Sequence, residues 1–287
     1  MSGGVRDLRG RTVVVTGASA GIGAAAARLF AERGASVAVV GRSREKTAAI
    51  AAQVGGTMHL ADFGSLDSVR TLAADLLAAH GRIDVLANNA GAIFEDHRTS
   101  VDGHEMNIQV NHLAPFLLTN LLLDRLAESP DARVINTGSL QYRKAHLDLN
   151  DLNGTGVGYH KLRAYGASKI ATILFTRELA HRMRGTGVTT SAFHPGSVAT
   201  EVARENAMQG KLMSSWVGKV LLLSPEQGAE PLLHLATVDP QSVNGAYFHR
   251  LTREEPKNEQ ARDPHLAGRL WERSAELTDL PVLPRTR

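Results

Sequence analysis

Tyr165 and Lys169 stand four residues apart in Tyr165-Gly166-Ala167-Ser168-Lys169. On a helix that spacing puts both side chains on one face. A phenol can donate a proton, but its unperturbed pKa near ~10 is too high for ready exchange at neutral pH. A neighbouring ammonium favours the phenolate and lowers that value. The pair is therefore a candidate general acid with a tuning cation. Taken alone, it equally fits a core tyrosine beside a solvated lysine. Two further residues bear on the choice. Ser139 ends Asn136-Thr137-Gly138-Ser139-Leu140, and a hydroxyl there can donate to and accept from a reacting oxygen. Asn111, in Gln109-Val110-Asn111-His112-Leu113, is an amide in a helical stretch otherwise lined with Leu and Phe, so it needs hydrogen-bond partners. Singly, Ser139 also fits a turn residue and Asn111 a satisfied core amide.

Composition narrows the classes. The chain has no cysteine, which excludes disulfides, thiolate nucleophiles and Cys-ligated zinc. No metal site is expected. The net charge is +3 without any Lys/Arg-rich run. Mixed charges along the helices indicate a solvated surface rather than a nucleic-acid footprint. Met1 to Asp7 carries no apolar signal core. The densest apolar run, Phe116 to Leu123, is broken by polar residues and falls short of the ~18 residues of a membrane span. The expectation is a cytoplasmic protein without a membrane segment. At 287 residues and 43% hydrophobic, the chain suits one large α/β domain, or at most two small ones. No Pro/Gly/Ser-rich linker divides it.

The elements that must position these residues follow from the pattern. β-branched runs at Thr12–Thr16, Ser36–Val40, Thr57–Leu60 and Ile83–Ala87 read as buried strands. Helices fall between them at Ala24–Arg33, Arg44–Val54 and Leu66–Ala79, the last with Ser65 as N-cap. Asn107–Leu126 predicts one long helix, Arg133–Thr137 a strand, Lys161–Arg184 a helix and Val188–Phe193 a strand. A helix near Pro225–Ala236, a short strand at Ala246–Phe248 and a terminal helix at His265–Leu277 complete the chain. This alternation predicts an α/β fold, a Rossmann-like, doubly wound parallel sheet of about seven strands with helices on both faces. The irregular stretches follow strand carboxyl ends, the edge where such sheets bind ligands.

Thr16-Gly17-Ala18-Ser19-Ala20-Gly21-Ile22-Gly23 lies between the first strand and the first helix. A phosphate approaching a helix N-terminus needs bare backbone N–H groups, and the dipole favours its charge. Gly17 allows the sharp turn, Gly21 removes a Cβ along the pyrophosphate's path, and Gly23 lets the helix pack close to the strand. The spacing is Gly-x-x-x-Gly-x-Gly rather than the commoner Gly-x-Gly-x-x-Gly. It resembles the Thr-Gly-x-x-x-Gly-x-Gly pattern of the short-chain dehydrogenase/reductase family. That resemblance implies a nicotinamide cofactor held by Gly17, Ser19, Gly21, Ile22 and Gly23. The second strand ends Val40-Gly41-Arg42-Ser43-Arg44, with no acid for a ribose 2′-hydroxyl and an arginine suited to a 2′-phosphate. NADP (as NADPH) is expected over NAD, although Arg42 also fits a surface cation. Asp62 matches the family's adenine-contacting aspartate, competing with a helix-cap role. In Asn88-Asn89-Ala90-Gly91, both asparagines read as mainly structural, with Asn88 the expected cofactor contact.

The resemblance also assigns the chemical end. Asn111, Ser139, Tyr165 and Lys169 occur in family order, each on the expected element. It implies carbonyl reduction: Tyr165 as general acid, Ser139 polarising the carbonyl, Lys169 tuning Tyr165 and bonding the nicotinamide ribose, and Asn111 holding a relay water. Pro195-Gly196-Ser197-Val198-Ala199-Thr200 matches the loop beside the nicotinamide, with Thr200 a carboxamide contact; His194 reads as scaffold. Met208, Met213 and Trp216 suit a lid over a bulky apolar substrate, or ordinary helix packing. The halves would fall at about residues 8–130 for cofactor and 131–280 for catalysis and substrate within a single domain, 1–287.

The long Ser139-to-Tyr165 interval, containing Asn150-Asp151-Leu152-Asn153-Gly154, resembles the retinol-dehydrogenase-like branch. So do Val110 to Thr119, His194-Pro195-Gly196 and Arg269 to Ser274. The hydrophobic N-terminal anchor of the membrane-bound animal members is not seen, which argues against retinol. The chain also resembles ketoreductases of the daunorubicin type, which act on side-chain ketones of aromatic polyketides in antibiotic biosynthesis. A broad xenobiotic or retinal-like carbonyl reductase is the alternative substrate reading. A non-catalytic NADP-binding regulatory protein is the alternative class; a lost tetrad residue would mark it, and none is lost. A homodimer stays open.

Overall fold

The computed structural model describes residues 7–155, 158–197 and 223–281. Its sheet contains β1 (Thr12–Thr16), β2 (Ser36–Gly41), β3 (Thr57–Leu60), β4 (Val85–Asn88), β5 (Ala132–Thr137), β6 (Val188–His194), β7 (Ala246–His249) and β8 (Thr252–Glu254). The strand order is β3-β2-β1-β4-β5-β6-β7-β8. β1 to β7 pair in parallel, with Val13 beside both Val37 and Val85. β8 pairs antiparallel with β7 through a tight turn in which Arg250 takes φ 55°. The expected count of about seven omits β8, whose two exposed residues and one half-buried residue carry no buried-strand pattern.

Helices cover both faces because parallel strands need crossovers. α1 (Gly21–Glu32), α2 (Arg44–Val54) and α7 (Pro225–Thr237) lie on one face. Ala24 to Ala27 are buried there, and their small side chains bring α1 close to the sheet. α3 (Leu66–Ala79), α5 (Ala114–Ala127), α6 (Lys161–Arg182) and α9 (Pro264–Leu277) cover the other. Trp271 of α9 meets Phe116 of α5 edge-on at 4.9 Å and stacks on Phe175 of α6 at 5.8 Å. The Arg182 guanidinium lies 4.6 Å from the Trp271 ring and pairs with Glu178 at 2.9 Å. This buried ion pair is acceptable because its cation also faces an aromatic ring. α8 (Pro240–Val243) is a short turn ahead of β7.

The long helix expected over Asn107–Leu126 is interrupted. α4 (Met106–Ile108) passes into a π-helical turn at Gln109–Leu113 before α5 begins. Pro115 lacks an N–H, so it cannot donate to the Asn111 carbonyl four residues back. Thr172 Oγ1 of α6 lies 3.5 Å from that carbonyl, although its shorter bond is to Ser168 O at 3.0 Å. Such widened turns mark functional positions more often than ordinary helix does.

β1 has β2 on one side and β4 on the other. Chain leaving β1 and chain leaving β4 therefore diverge, opening a crevice at the strands' carboxyl ends.

Candidate active site

That crevice is a cleft of ≈ 380 Å³. One wall is the turn after β1. Gly17 has φ 66°, and a Cβ there would lie 2.8 Å from Ala90 Cα. A Cβ on Gly23 would overlap the Gly17 carbonyl and come 2.7 Å from Asn89 Nδ2. Both positions are therefore closed to any other residue without backbone movement. Ala20 caps α1 and offers no side-chain acceptor, and the first turn holds no acid. The first N–H groups of α1 have no capping acceptor, a ready anion site. Ser19, Gly21, Ile22, Arg42 and Asp62 line the same cleft. Gly41 excludes a carboxylate at its own position: a Cβ would overlap Thr47 Oγ1 and approach Ser19 Cβ to 2.9 Å. The competition for the α3 cap is settled by distance. Ser65 Oγ accepts from Ser68 N at 3.3 Å, while Asp62 accepts from Gly64 N at 2.9 Å and stays exposed at the cleft. A dinucleotide fits this donor set of an uncapped helix end and a bare glycine turn, with one exposed guanidinium at the rim.

The opposite wall carries Ser139, Tyr165 and Lys169. Ser139 follows β5 and caps the turn Leu140–Lys144 through Gln141 N at 3.4 Å. Tyr165 lines the same cleft, and the nearby Ser139 hydroxyl favours its phenolate. Lys169 is buried, and its Nζ donates to the Thr137 carbonyl at 3.0 Å and lies 5.4 Å from the Tyr165 ring centre. Burial pushes the Tyr165 phenol above its ordinary value, against the lowering effect of the Ser139 hydroxyl. Burial likewise pulls the Lys169 ammonium down to about 8. Desolvation thus outweighs the tuning expected of Lys169, and Tyr165 holds its proton at neutral pH. His194 also lines the cleft, where burial holds it down to about 4, and it stacks on His249 at 5.5 Å. Burial thus favours its neutral form, whose remaining N–H is not an acid at neutral pH.

Asn111 sits behind this wall. Its Oδ1 accepts from Ala92 N at 2.9 Å, and its Nδ2 donates to Ala92 O at 2.9 Å and to Ser168 Oγ at 3.3 Å. A Cβ on Gly91 would lie 2.8 Å from Asn111 Oδ1. The side chain therefore braces the 89–92 loop and leaves only the backbone carbonyl for other partners.

The short chain dehydrogenase family profile matches residues 11–210. The chain belongs to the short-chain dehydrogenase/reductase family. It is similar to human retinol dehydrogenase 13, 42% identical over 95% of this chain and 86% of that protein. It is also similar to a protein of Streptomyces sp. strain C5 named as a candidate daunorubicin C-13 ketoreductase, DnrU. That match is 39% identical over 93% of this chain and 92% of the other. Among solved structures, a protein from Mycobacterium paratuberculosis superposes with a TM-score of 0.79 at 32% identity, covering 97% of each chain. A Burkholderia cenocepacia short chain dehydrogenase in complex with NADP gives a TM-score of 0.68 at 26% identity, covering 86% of this chain and 99% of the other.

Within this short-chain dehydrogenase/reductase, Asn88 lies away from the cleft lining. Asn88, not Asn89, was the expected cofactor contact, but Asn88 is buried beneath the cleft. Its Nδ2 donates to Thr119 Oγ1 at 3.0 Å and to Asn136 Oδ1 at 2.9 Å. Asn89, one residue past the end of β4, lines the cleft while its Nδ2 donates to the Thr16 carbonyl at 3.0 Å. Adjacent residues leaving a strand face opposite ways, which the doubled asparagine conceals. Thr200, Met208, Met213 and Trp216 lie outside the described residues. Thr137, whose carbonyl holds Lys169, is a further contributor that only backbone geometry reveals. Among the described residues, no helix is long and apolar enough to cross a membrane.

Proposed function

We propose that this protein reduces a ketone or aldehyde on a bulky apolar substrate to the alcohol, using NADPH. The observation that carries the proposal is that Ser139, Tyr165 and the anchored Lys169 line the same cleft as the uncapped end of α1. Gly17, Gly21 and Gly23 with the α1 N–H groups would hold the pyrophosphate, Arg42 the 2′-phosphate, and Asp62 the adenine side. When bound, the cofactor supplies a hydride. Ser139 donates to the carbonyl oxygen and fixes its position. Tyr165 gives that oxygen its proton, which burial keeps in place at neutral pH. Lys169 supplies the compensating positive charge beside the phenolate left behind. Asn111 holds the 89–92 loop against α6.

An apolar substrate is supported by Ile22, Phe94, Val110 and Pro195 in the cleft lining. The DnrU likeness favours a side-chain ketone of an aromatic polyketide. The retinol dehydrogenase 13 likeness favours a second reading, a long apolar aldehyde. Purified protein mixed with NADPH and a panel of aromatic ketones and apolar aldehydes, followed at the nicotinamide absorbance, tests both. Turnover of the ketones is expected. Absence of turnover with every carbonyl, despite NADPH binding, would support a non-catalytic role instead.

A further inference from the structure

Thr57 and His59 stand two residues apart on the edge strand β3, so their side chains leave the same face of the sheet. The C-cap of α3, His80, reaches both. Three side-chain atoms converge there. His59 Nε2 lies 3.4 Å from His80 Nε2, and Thr57 Oγ1 lies 3.1 Å from the first and 3.3 Å from the second. The ring centres are 5.5 Å apart with the planes tilted by 52°, so the rings meet at their edges rather than stacking. Hydrogen bonding cannot fully satisfy this triangle. A ring nitrogen carries either a hydrogen or a lone pair, never both, and a hydroxyl has one hydrogen. With a hydrogen on one Nε2, two hydrogens serve three contacts. With hydrogens on both, the nitrogens oppose each other hydrogen to hydrogen; with neither, lone pair to lone pair. One contact is shared or unmet in every tautomer.

A cation at the centre meets all three atoms at once. Ligands about 2.0–2.1 Å from a tetrahedral zinc lie about 3.3–3.4 Å from one another. The edges of 3.1, 3.3 and 3.4 Å therefore trace one face of such a tetrahedron. The backbone behind the ligands is held on both sides. β3 registers His59 against Val40 of β2, the His80 N–H donates to Leu76 O at 3.0 Å, and the His80 carbonyl accepts from Arg125 Nη1 of α5. Thr57 is exposed, which leaves a way in for an ion and a fourth position for water. The lack of cysteine removes thiolates but not imidazoles. We propose that His59 Nε2, His80 Nε2 and Thr57 Oγ1 bind one divalent transition-metal ion of the zinc or copper class, with water completing its shell. Imidazole suits these ions, whereas magnesium and calcium prefer oxygen ligands, and copper(II) should bind more tightly than zinc. Among the described residues, no group of three His, Cys, Asp or Glu side chains is placed to hold a metal ion, so the site is a reversible one. None of its three residues lines the cleft. The ion clamps β3 to the end of α3, and its binding stands apart from the reductase reading.

The test adds zinc chloride to tag-free, full-length protein labelled at its histidine nitrogens. NMR follows the rings, and calorimetry gives the zinc affinity. The His59 and His80 Nε2 signals, identified through His59→Ala and His80→Ala, are expected to shift together and to saturate at one ion per chain. His80→Ala should weaken zinc binding at least about tenfold, since even partners that only orient a ligand contribute ten- to a hundredfold. Thr57→Val keeps the side chain's shape without the hydroxyl and should weaken binding several-fold, whereas Thr57→Ser should match the wild type. His265→Ala, at an exposed histidine of α9, should leave the affinity unchanged. Zinc that shifts His59 and His80 no more than His265, or an affinity equal in wild type, His80→Ala and Thr57→Val, would overturn the proposal. Should the buried His59 position tolerate no substitution, His80→Ala and Thr57→Val carry the comparison, and both lie at the accessible rim of the site. Neither readout needs turnover, so a protein inactive toward every carbonyl leaves this test intact.

Discussion

Replacing Arg42 with alanine should change which nicotinamide the protein uses. Arg42 is exposed at the cleft rim, and no carboxylate can occupy position 41 because Thr47 and Ser19 fill the space of its Cβ. A hydrogen bond between charged partners contributes about 1.5–3 kcal/mol. Discounted for solvent screening at an exposed site, about 1–2 kcal/mol remains. That corresponds to roughly a 5- to 30-fold loss in kcat/KM for NADPH, with NADH unchanged. The assay compares initial rates for both cofactors at fixed ketone, at low and at high salt. On the proposed assignment, the wild type prefers NADPH, and that preference should narrow as salt rises. An unchanged NADPH-to-NADH ratio in Arg42→Ala would refute the assignment of Arg42 to the 2′-phosphate.

Gly23→Ala should abolish NADPH binding in a fluorescence titration, because the added methyl overlaps the Gly17 carbonyl and forces the glycine turn open. Trp271→Ala removes a buried ring held between Phe116, Phe175 and Arg182; urea unfolding should show a loss of about 3–5 kcal/mol. Lys169 titrates at about 8 when folded, against an ordinary 10.5. Ketone reduction should therefore fall as pH rises through about 8, where the ammonium is lost. Stability should move the other way. Between these two values the unfolded chain holds the proton more tightly, so folding stability rises with pH, by up to about 3 kcal/mol for this group. Parallel rate and denaturation profiles check both signs, and Lys169→Met should flatten the stability rise.

The glycine turn was legible because backbone sterics leave no alternative at Gly17 and Gly23. Tyr165 and Lys169 were legible as one helical face from their spacing, whereas Ser139 joined them only through the family resemblance. The failures share a cause, local backbone departures with weak side-chain signatures. β8 follows a turn at Arg250 and buries too little to show a pattern. The π turn depends on one absent N–H at Pro115, which helix propensity reads merely as a tolerated early proline. Asn88 and Asn89 have the same side chain, and only the exact end of β4 separates the buried one from the one at the cleft. The balance of pKa effects was hidden too. The ammonium's pull on the phenol is visible from spacing, whereas the desolvation that exceeds it depends on how deeply both groups are buried.

The most direct measurement compares Tyr165→Phe with the wild type. NADPH affinity is read by fluorescence and ketone reduction in single turnover. The variant lacks only the phenolic hydroxyl. It should bind NADPH as the wild type does and lose nearly all reduction. Reduction at a rate close to wild type would show that the proton reaches the substrate from another group, and Tyr165 would then not be the acid.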